Sequence, residues 1–546
     1  MSFVRPLFVA ASLVLLPGPL SSVAWASTIA SRLAEDSAVV QIGDRPLETE
    51  LVRAFYAERG NKPAWSGAAH ARADHLLAQI HALAPGEGLR SQSYVLPDGV
   101  TGDDRDILVS ETLARFARDL SIGRVAPTRQ VGGMGPEIRP KVDAAAALRD
   151  LAGGRDLVAT LTPLQPAYAG YHRLKAAIAP YEKLVAAGGW PAIADGPSIK
   201  PGMDDARLPL VRKRLIATGE LAAAHDKGNT LDAPLIEALK RFQGRHGIDP
   251  DGAIGKQTLT ALNVGAEERL RQIAANLERW RWMPRRLDAT HIAVNLPAAH
   301  FELVRDGRID MAMRVVVGDI QHQTPTMATT MTSVVINPTW TVPPSIATKE
   351  ILPKLRKDSS YLASNNMRIL DAFDNDFEKA QGLGIDWSKY SKFPYRLRQK
   401  PGADNALGQV KFNLDNGDDI YLHDTPKRQY FGRIFRALSH GCIRLERPVE
   451  LAKLLLPANA DRLDEWVTDD TTRTVRLDKP LTVYLMYMTA WADEDGTVHF
   501  REDLYGHDAR LKAARLGRQQ PAQPQVSQEP AKPYRDNPPE VNRPTW

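Results

Sequence analysis

The period of the apolar residues changes once along this chain, near Thr290. Before that point apolar residues recur every three or four positions; after it they alternate. The first pattern buries one stripe of a helix and the second buries one face of a strand. The chain therefore reads as α+β, with a helical half followed by a mainly-β half. At 546 residues it is too long for one core and implies several domains.

The alternating half contains His291–Leu296, Phe301–Arg305 and Met311–Val317, with Asp306-Gly307 as the hairpin turn between the last two. Thr332–Ile336, Gln409–Leu414, Ile420–His423 and Leu481–Met488 continue it. Short strands separated by turns predict an antiparallel sandwich or partial barrel over residues 266–510. Residues 345–407 interrupt the pattern with Lys-rich helical sequence and then Pro394, Pro401 and Gly402. The stretch is too long for a simple loop and too irregular for sheet, and it reads as a lid.

In the helical half, residues 27–203 read as a scaffold. Leu76, Ile80 and Leu83 share one helical face. A helix over Tyr168–Ala187 turns Leu174, Ile178 and Leu184 inward, with Pro180 as its kink. The loop Gly132-Gly133-Met134-Gly135 lacks a following Lys-Ser/Thr and is no phosphate cradle. Residues 204–265 form a compact unit in which Pro234 opens a helix with Leu235, Leu239 and Phe242 on one face. Glu268–Met283 reads as a helix linking this unit to the next, ended by Pro284.

The two ends differ in composition. Arg5, the apolar run Leu7–Leu16 and Ala24-Trp25-Ala26 read as an export signal cleaved after Ala26. That run is shorter than a membrane span needs, and no later stretch is apolar enough to cross. From residue 511 to 546, Gln, Pro, Lys and Arg leave too little apolar surface to fold. A net charge of +5, with no basic run interleaved with aromatics, excludes a dedicated nucleic-acid binder.

Chemistry concentrates in one place. Cys442 is the only cysteine, so an exported chain would carry one unpaired thiol and no intramolecular disulfide. His423 lies 19 residues upstream (442 − 423) and His440 two residues upstream. An imidazole that takes a thiol's proton turns it into an attacking thiolate. Arg444 and Arg436 nearby would lower the thiol's pKa. Gly441 allows a sharp turn, and the N–H groups around Gly441 and Cys442 could hold an oxyanion. A buried, inert cysteine is the plain alternative reading of a lone thiol.

His423, a spacer, then Ser439-His440-Gly441-Cys442 resembles the signature of YkuD-type L,D-transpeptidases. Arg444-Leu445, with His423-Asp424-Thr425-Pro426, is similar to the large periplasmic YcbB-type members. Asn276-Leu277-Glu278-Arg279-Trp280-Arg281-Trp282 and the run Asn337–Ile346 match that subgroup as well. Phe242-Gln243, His246-Gly247, Asp251-Gly252 and Ile254-Gly255 look like a three-helix peptidoglycan-binding domain. The resemblance implies a β-sandwich catalytic domain with a capping subdomain at 345–407. It makes Cys442 the nucleophile, His423 the base, and the Asp424 carbonyl the group that orients the base. Ser439, His440 and Gly441 shape the loop and help hold the thiolate. Arg444 meets a substrate carboxylate or braces the loop, and Tyr421 and Trp340 line the pocket.

The implied reaction is acyl transfer on peptidoglycan stem peptides. A tetrapeptide donor is cut between diaminopimelate and D-alanine, and a second diaminopimelate amine resolves the acyl-enzyme as a 3–3 cross-link. Carbapenems acylate this cysteine in the family. No metal or organic cofactor is implied. The partners are stem peptides and glycan, with other cell-wall enzymes as further candidates, in the periplasm. Three other readings stay open. Water could resolve the same thioester, making an L,D-carboxypeptidase. The chain could be a non-catalytic wall-binding protein. Cys442, His423 and His440 could also hold zinc.

Overall fold

The structure, a computed structural model, describes residues 29–34, 40–43, 45–370 and 385–517. The export signal at 1–26 and the tail from 518 onward lie outside the described residues. Residues 511–515, expected to be unstructured, continue the helix His507–Arg515. Leu511 explains the difference, because it is fully buried against Val131, Ala275 and Trp282.

The alternating half forms one nine-stranded sheet: β1 (Thr290–Asn295), β2 (His300–Arg305), β3 (Arg308–Gly318), β4 (Met327–Ile336), β5 (Val410–Asp415), β6 (Leu422–His423), β7 (Ala437–Ser439), β8 (Ile443–Leu445) and β9 (Arg473–Met486). The spatial order is β7-β3-β8-β6-β5-β4-β9-β1-β2, and β2 also pairs with β3, so the sheet closes on itself. Phe301, Leu303, Val315, Met331, Phe412, Leu422, Ile443 and Val483 fill the inside. Asp306 and Gly307 both take positive φ, as a tight two-residue hairpin requires. The sheet is mixed, not antiparallel throughout: β6 with β8, β7 with β3, and β1 with β9 run parallel. Strand alternation carries no direction. The segment between His423 and Ile443 is long enough for the crossover a parallel pair needs.

The insertion contains sheet as well as helix. Trp340–Thr341, Arg396–Gln399 and Met367–Leu370 pair antiparallel in that spatial order. Val342, Ile351, Leu352, Leu355, Ile369, Trp387, Phe393 and Leu397 give it a core of its own. Strands of two to four residues are too short for alternation to show.

In the scaffold, α1 (Gly102–Ile122) is the central helix. Leu76 and Ile80 are buried as expected, but Leu83, in the last turn of its helix, is 36% exposed. The helix expected over Tyr168–Ala187 breaks at Ala177, not at Pro180. Pro180 falls in the first turn of the second piece, where its missing N–H leaves no bond unmade. Helices α2 (Leu208–Ala217), α3 (Ala233–Arg245) and α4 (Lys256–Leu262) pack on a core that includes Val211, Leu215, Leu235, Leu239 and Phe242. Asp232 caps α3, accepting from the Leu235 N–H at 3.2 Å.

Helix α5 (Ala266–Trp282), read as a link, is a hub. Its polar faces are buried too. Asn276 exchanges hydrogen bonds with Thr489, the Glu278 carboxylate accepts from the Val125 N–H, and Arg279 pairs with Asp508. Glu278 and Arg279 each have a polar partner, which is the condition for burying a charge.

Candidate active site

Two parallel strands build the site. Leu422 aligns with Ile443 and His423 with Arg444. Leu422 and Ile443 are wholly buried inside the sheet. Alternation then puts Tyr421, His423, Cys442 and Arg444 together on the outer face. Strand spacing and rise set Cys442 diagonal to His423, about 8 Å between Cα atoms, a span their side chains can close. On the other side of β6, Lys411 aligns with His423. Lys411, His423 and Arg444 thus form a row across three strands, with Tyr421 and Cys442 one step along it.

His423 is buried, and its Nδ1 lies 2.5 Å from the Asp424 carbonyl oxygen. A carbonyl only accepts, so Nδ1 carries the proton and Nε2 the lone pair. Burial, then the charge of Arg444, pushes the imidazole down to about 3. Asp424 is pinned in turn, its carboxylate accepting from the Gln409 N–H at 3.0 Å and from Arg428 at 2.9 Å.

Cys442 is half-buried. Its thiol donates weakly to the Asp419 carbonyl at 3.7 Å. Burial raises the thiol's pKa; the Tyr421 N–H and hydroxyl, Lys411 and Arg444 lower it, but by less. The net shift is therefore opposite to the one expected from neighbouring cations. The Tyr421 hydroxyl lies close to both the sulfur and the Trp340 indole. Trp340 brings the insertion to the edge of the site.

The catalytic loop is braced from within. Ser439 is buried; its hydroxyl donates to the Cys442 carbonyl at 2.6 Å and accepts from the Gly441 N–H at 3.2 Å. Gly441, with φ +112°, sits where only glycine is at ease. Its N–H is thus taken. The N–H groups left near the sulfur are those of Cys442 and Tyr421, and that of Tyr421 faces the sulfur itself. The Arg444 guanidinium lies 5.7 Å over the Tyr430 ring. The His440 imidazole lies 4.5 Å from the His322 ring, tilted to it, and its Nε2 is 2.7 Å from a carboxylate oxygen of Glu350 in the insertion.

Sequence reasoning missed the loop's platform. The Asp319 N–H donates to the Ser439 carbonyl at 2.9 Å. The Thr324 hydroxyl donates to the Gly441 carbonyl at 2.6 Å and accepts from the Gly318 N–H at 2.8 Å. Tyr505 locks this from the C-terminal side, donating to the Gly318 carbonyl at 2.7 Å. Lys411 was also missed, although a lysine inside the apolar run Val410–Leu414 was a visible signal. Its ammonium lies 4.2 Å over the Tyr421 ring.

Residues 289–475 match the L,D-transpeptidase catalytic domain family, and residues 206–262 match the peptidoglycan-binding domain family. The chain carries a YkuD L,D-transpeptidase catalytic domain and a peptidoglycan-binding domain. Residues 50–178 match a scaffold domain family. A protein of Haemophilus influenzae named "Putative L,D-transpeptidase" is 38% identical over 251 residues, 45% of this chain. The chain spans about half the length of that curated relative. Among solved structures, the L,D-transpeptidase from Mycobacterium smegmatis is 14% identical over 36% of this chain and 58% of its own, with a TM-score of 0.18. One from Xylanimonas cellulosilytica is 13% identical over 54% and 99%, with a TM-score of 0.15.

Within the transpeptidase domain, both histidines of the zinc reading have a ring nitrogen already engaged. No cluster of three or more His, Cys, Asp or Glu fit for a metal occurs among the described residues. No described helix is long and apolar enough to cross a membrane.

Proposed function

We propose that this chain is a cysteine-dependent L,D-transpeptidase that forms 3–3 cross-links in peptidoglycan. The observation that carries the reading is the strand register, which sets Cys442 and the Nε2 lone pair of His423 on one face under the insertion. With the thiol raised and the imidazole lowered, the resting pair is neutral. The proton moves as the donor arrives: His423 Nε2 takes it from Cys442, and the sulfur attacks the carbonyl between diaminopimelate and D-alanine. The Cys442 and Tyr421 N–H groups hold the oxyanion, each worth about 3–4 kcal/mol. The His423 imidazolium gives its proton to the departing D-alanine amine, general acid–base work worth roughly 10²–10⁴ in rate. A diaminopimelate amine of a second stem then displaces the thiolate.

Lys411 and Arg444 flank the base, and both help to depress it. A donor carboxylate beside them offsets their field and makes His423 a better base once substrate is bound. Trp340 and Glu350 extend the insertion over the loop, which limits water and favours transfer over the carboxypeptidase outcome. The peptidoglycan-binding domain would hold the enzyme on the wall, outside the cytoplasmic membrane.

The test is intact-protein mass spectrometry after exposure to a carbapenem, and after tetrapeptide with and without acceptor. One adduct on Cys442, absent in Cys442→Ala, and dimer formed only with acceptor are expected. No adduct, or stem processing that survives Cys442→Ala, overturns the proposal; tripeptide with no dimer replaces it with hydrolysis.

A further inference from the structure

The second half-reaction needs something the first does not. The acceptor amine is an ammonium near neutral pH, because an alkylamine titrates around 10. It must lose a proton before it can attack. His423 is poorly placed to take it, being buried, tied to a neutral carbonyl and set between Lys411 and Arg444. Another ammonium in that row would meet two like charges.

His440 has the opposite surroundings. Its ring is 39% exposed, and its Nε2 is 2.7 Å from Glu350 Oε1. Glu350 rides on the single π turn Ala347–Ile351 of the capping insertion, an irregularity common at functional sites. The His440 ring lies 4.5 Å from that of His322, tilted 34° to it, and His322 Nδ1 is held 3.0 Å from Asp319. With Nε2–H donated to the carboxylate, the lone pair of His440 sits on Nδ1. A carboxylate that fixes a tautomer and stabilises the imidazolium is the arrangement of a general base. The charges divide in the same sense. The cations Lys411 and Arg444 lie on the donor's face of the sheet, and Glu350 supplies a carboxylate from the cap, close enough to Arg444 for their charges to interact.

We infer that His440, positioned by Glu350, is the base for the acceptor amine. The inference rests on the proposed transpeptidase reading. The acceptor ammonium is drawn to Glu350 and gives one proton to His440 Nδ1. The amine lone pair forms the C–N bond at the thioester carbon, and the C–S bond breaks with its electron pair on Cys442. The second amine proton goes to the departing Cys442 thiolate and restores the thiol. The proton on His440 leaves to water, which its exposure permits.

The test measures how one acyl-enzyme divides between two fates, so it does not depend on how fast that species forms. Full-length enzyme and Glu350→Gln receive tetrapeptide donor and a diaminopimelate acceptor at neutral pH, and dimer and tripeptide are quantified. The dimer-to-tripeptide ratio is expected to fall at least tenfold in Glu350→Gln. With methoxyamine, an acceptor already neutral at that pH, the variant is expected to partition within about threefold of wild type. An unchanged ratio, or an equal loss with methoxyamine, overturns the inference and leaves the pair as a latch for the cap. Wild-type enzyme that never acylates Cys442 overturns the proposed function and this inference with it, whereas acylation with an unaltered ratio overturns the inference alone.

Discussion

Two opposing influences act on the Cys442 sulfur, and burial is the larger. The thiolate fraction should therefore keep rising with pH beyond the range of a free cysteine, near 8.5. Alkylation of Cys442 by iodoacetamide is expected to climb through neutrality without levelling off; a plateau below pH 7 would mean a preformed thiolate–imidazolium pair. Thr324 offers a second check. Thr324→Val leaves the Gly318 N–H and the Gly441 carbonyl without their shared partner, at about 1–3 kcal/mol. We expect a lower melting temperature and a fall in kcat of roughly tenfold with KM little changed, whereas Thr324→Ser keeps the bond and most of the activity. The sequence displayed Cys442, His423 and the Asp424 carbonyl because they lie in short motifs at recognisable spacings. It could not display Thr324 or Glu350, whose positions depend on contacts between segments far apart in the chain; Lys411 stood out in its run, but its place beside His423 depends on register. Nor could it show that Ser439 takes up the Gly441 N–H, which shifts the oxyanion donors to Cys442 and Tyr421.

At the scale of elements, the closed sheet places the platform loop 319–326 under the catalytic loop. Gly318 is where that loop leaves β3, and the backbone folds back on it. A Cβ there would overlap the His322 carbonyl oxygen and sit 2.6 Å from the Thr324 nitrogen. Backbone cannot move aside as a side chain can, so Gly318→Ala should push the platform away from Gly441. The cost is about 1–3 kcal/mol by analogy with overpacking. A lower melting temperature together with carbapenem acylation slowed more than tenfold is expected. Melting lowered with acylation intact would show that the platform does not position the thiol. The strands themselves were readable from alternation, and Asp306-Gly307 marked its hairpin. Their directions were not, because side-chain period is identical in parallel and antiparallel pairs. The insertion's strands were hidden by their length, and α5 looked like a link because its polar faces are buried only by partners distant in sequence.

Among the described residues, burial lowers three imidazoles strongly, each in a different place, and lowers His291 less. His246 is stacked between Phe242 of the binding domain and Phe500 of a hairpin in the catalytic half. His423 shares a face of the sheet with Cys442, and His507 lies against Tyr487 and Tyr505 below the platform. Burial lowers all three, His423 and His507 to about 3 and His246 well below its ordinary value. The folded values lie below the unfolded value of about 6.5, so as pH falls the unfolded chain binds protons first. Stability is then complete above that pH and declines as pH drops toward the folded values. Between pH 7 and pH 5 the loss is about 2 kcal/mol per histidine. These histidines therefore weaken the fold toward denaturant as pH falls, while the buried Glu302 carboxyl, pushed up to about 9, acts in the opposite sense. His246→Phe keeps an aromatic ring in the Phe242–Phe500 stack while removing one titrating group, so its stability should fall less than that of wild type over this range, by up to about 2 kcal/mol. An unchanged slope would mean that His246 is already protonated in the folded protein, with its charge offset by a group at the junction between the binding domain and the catalytic half.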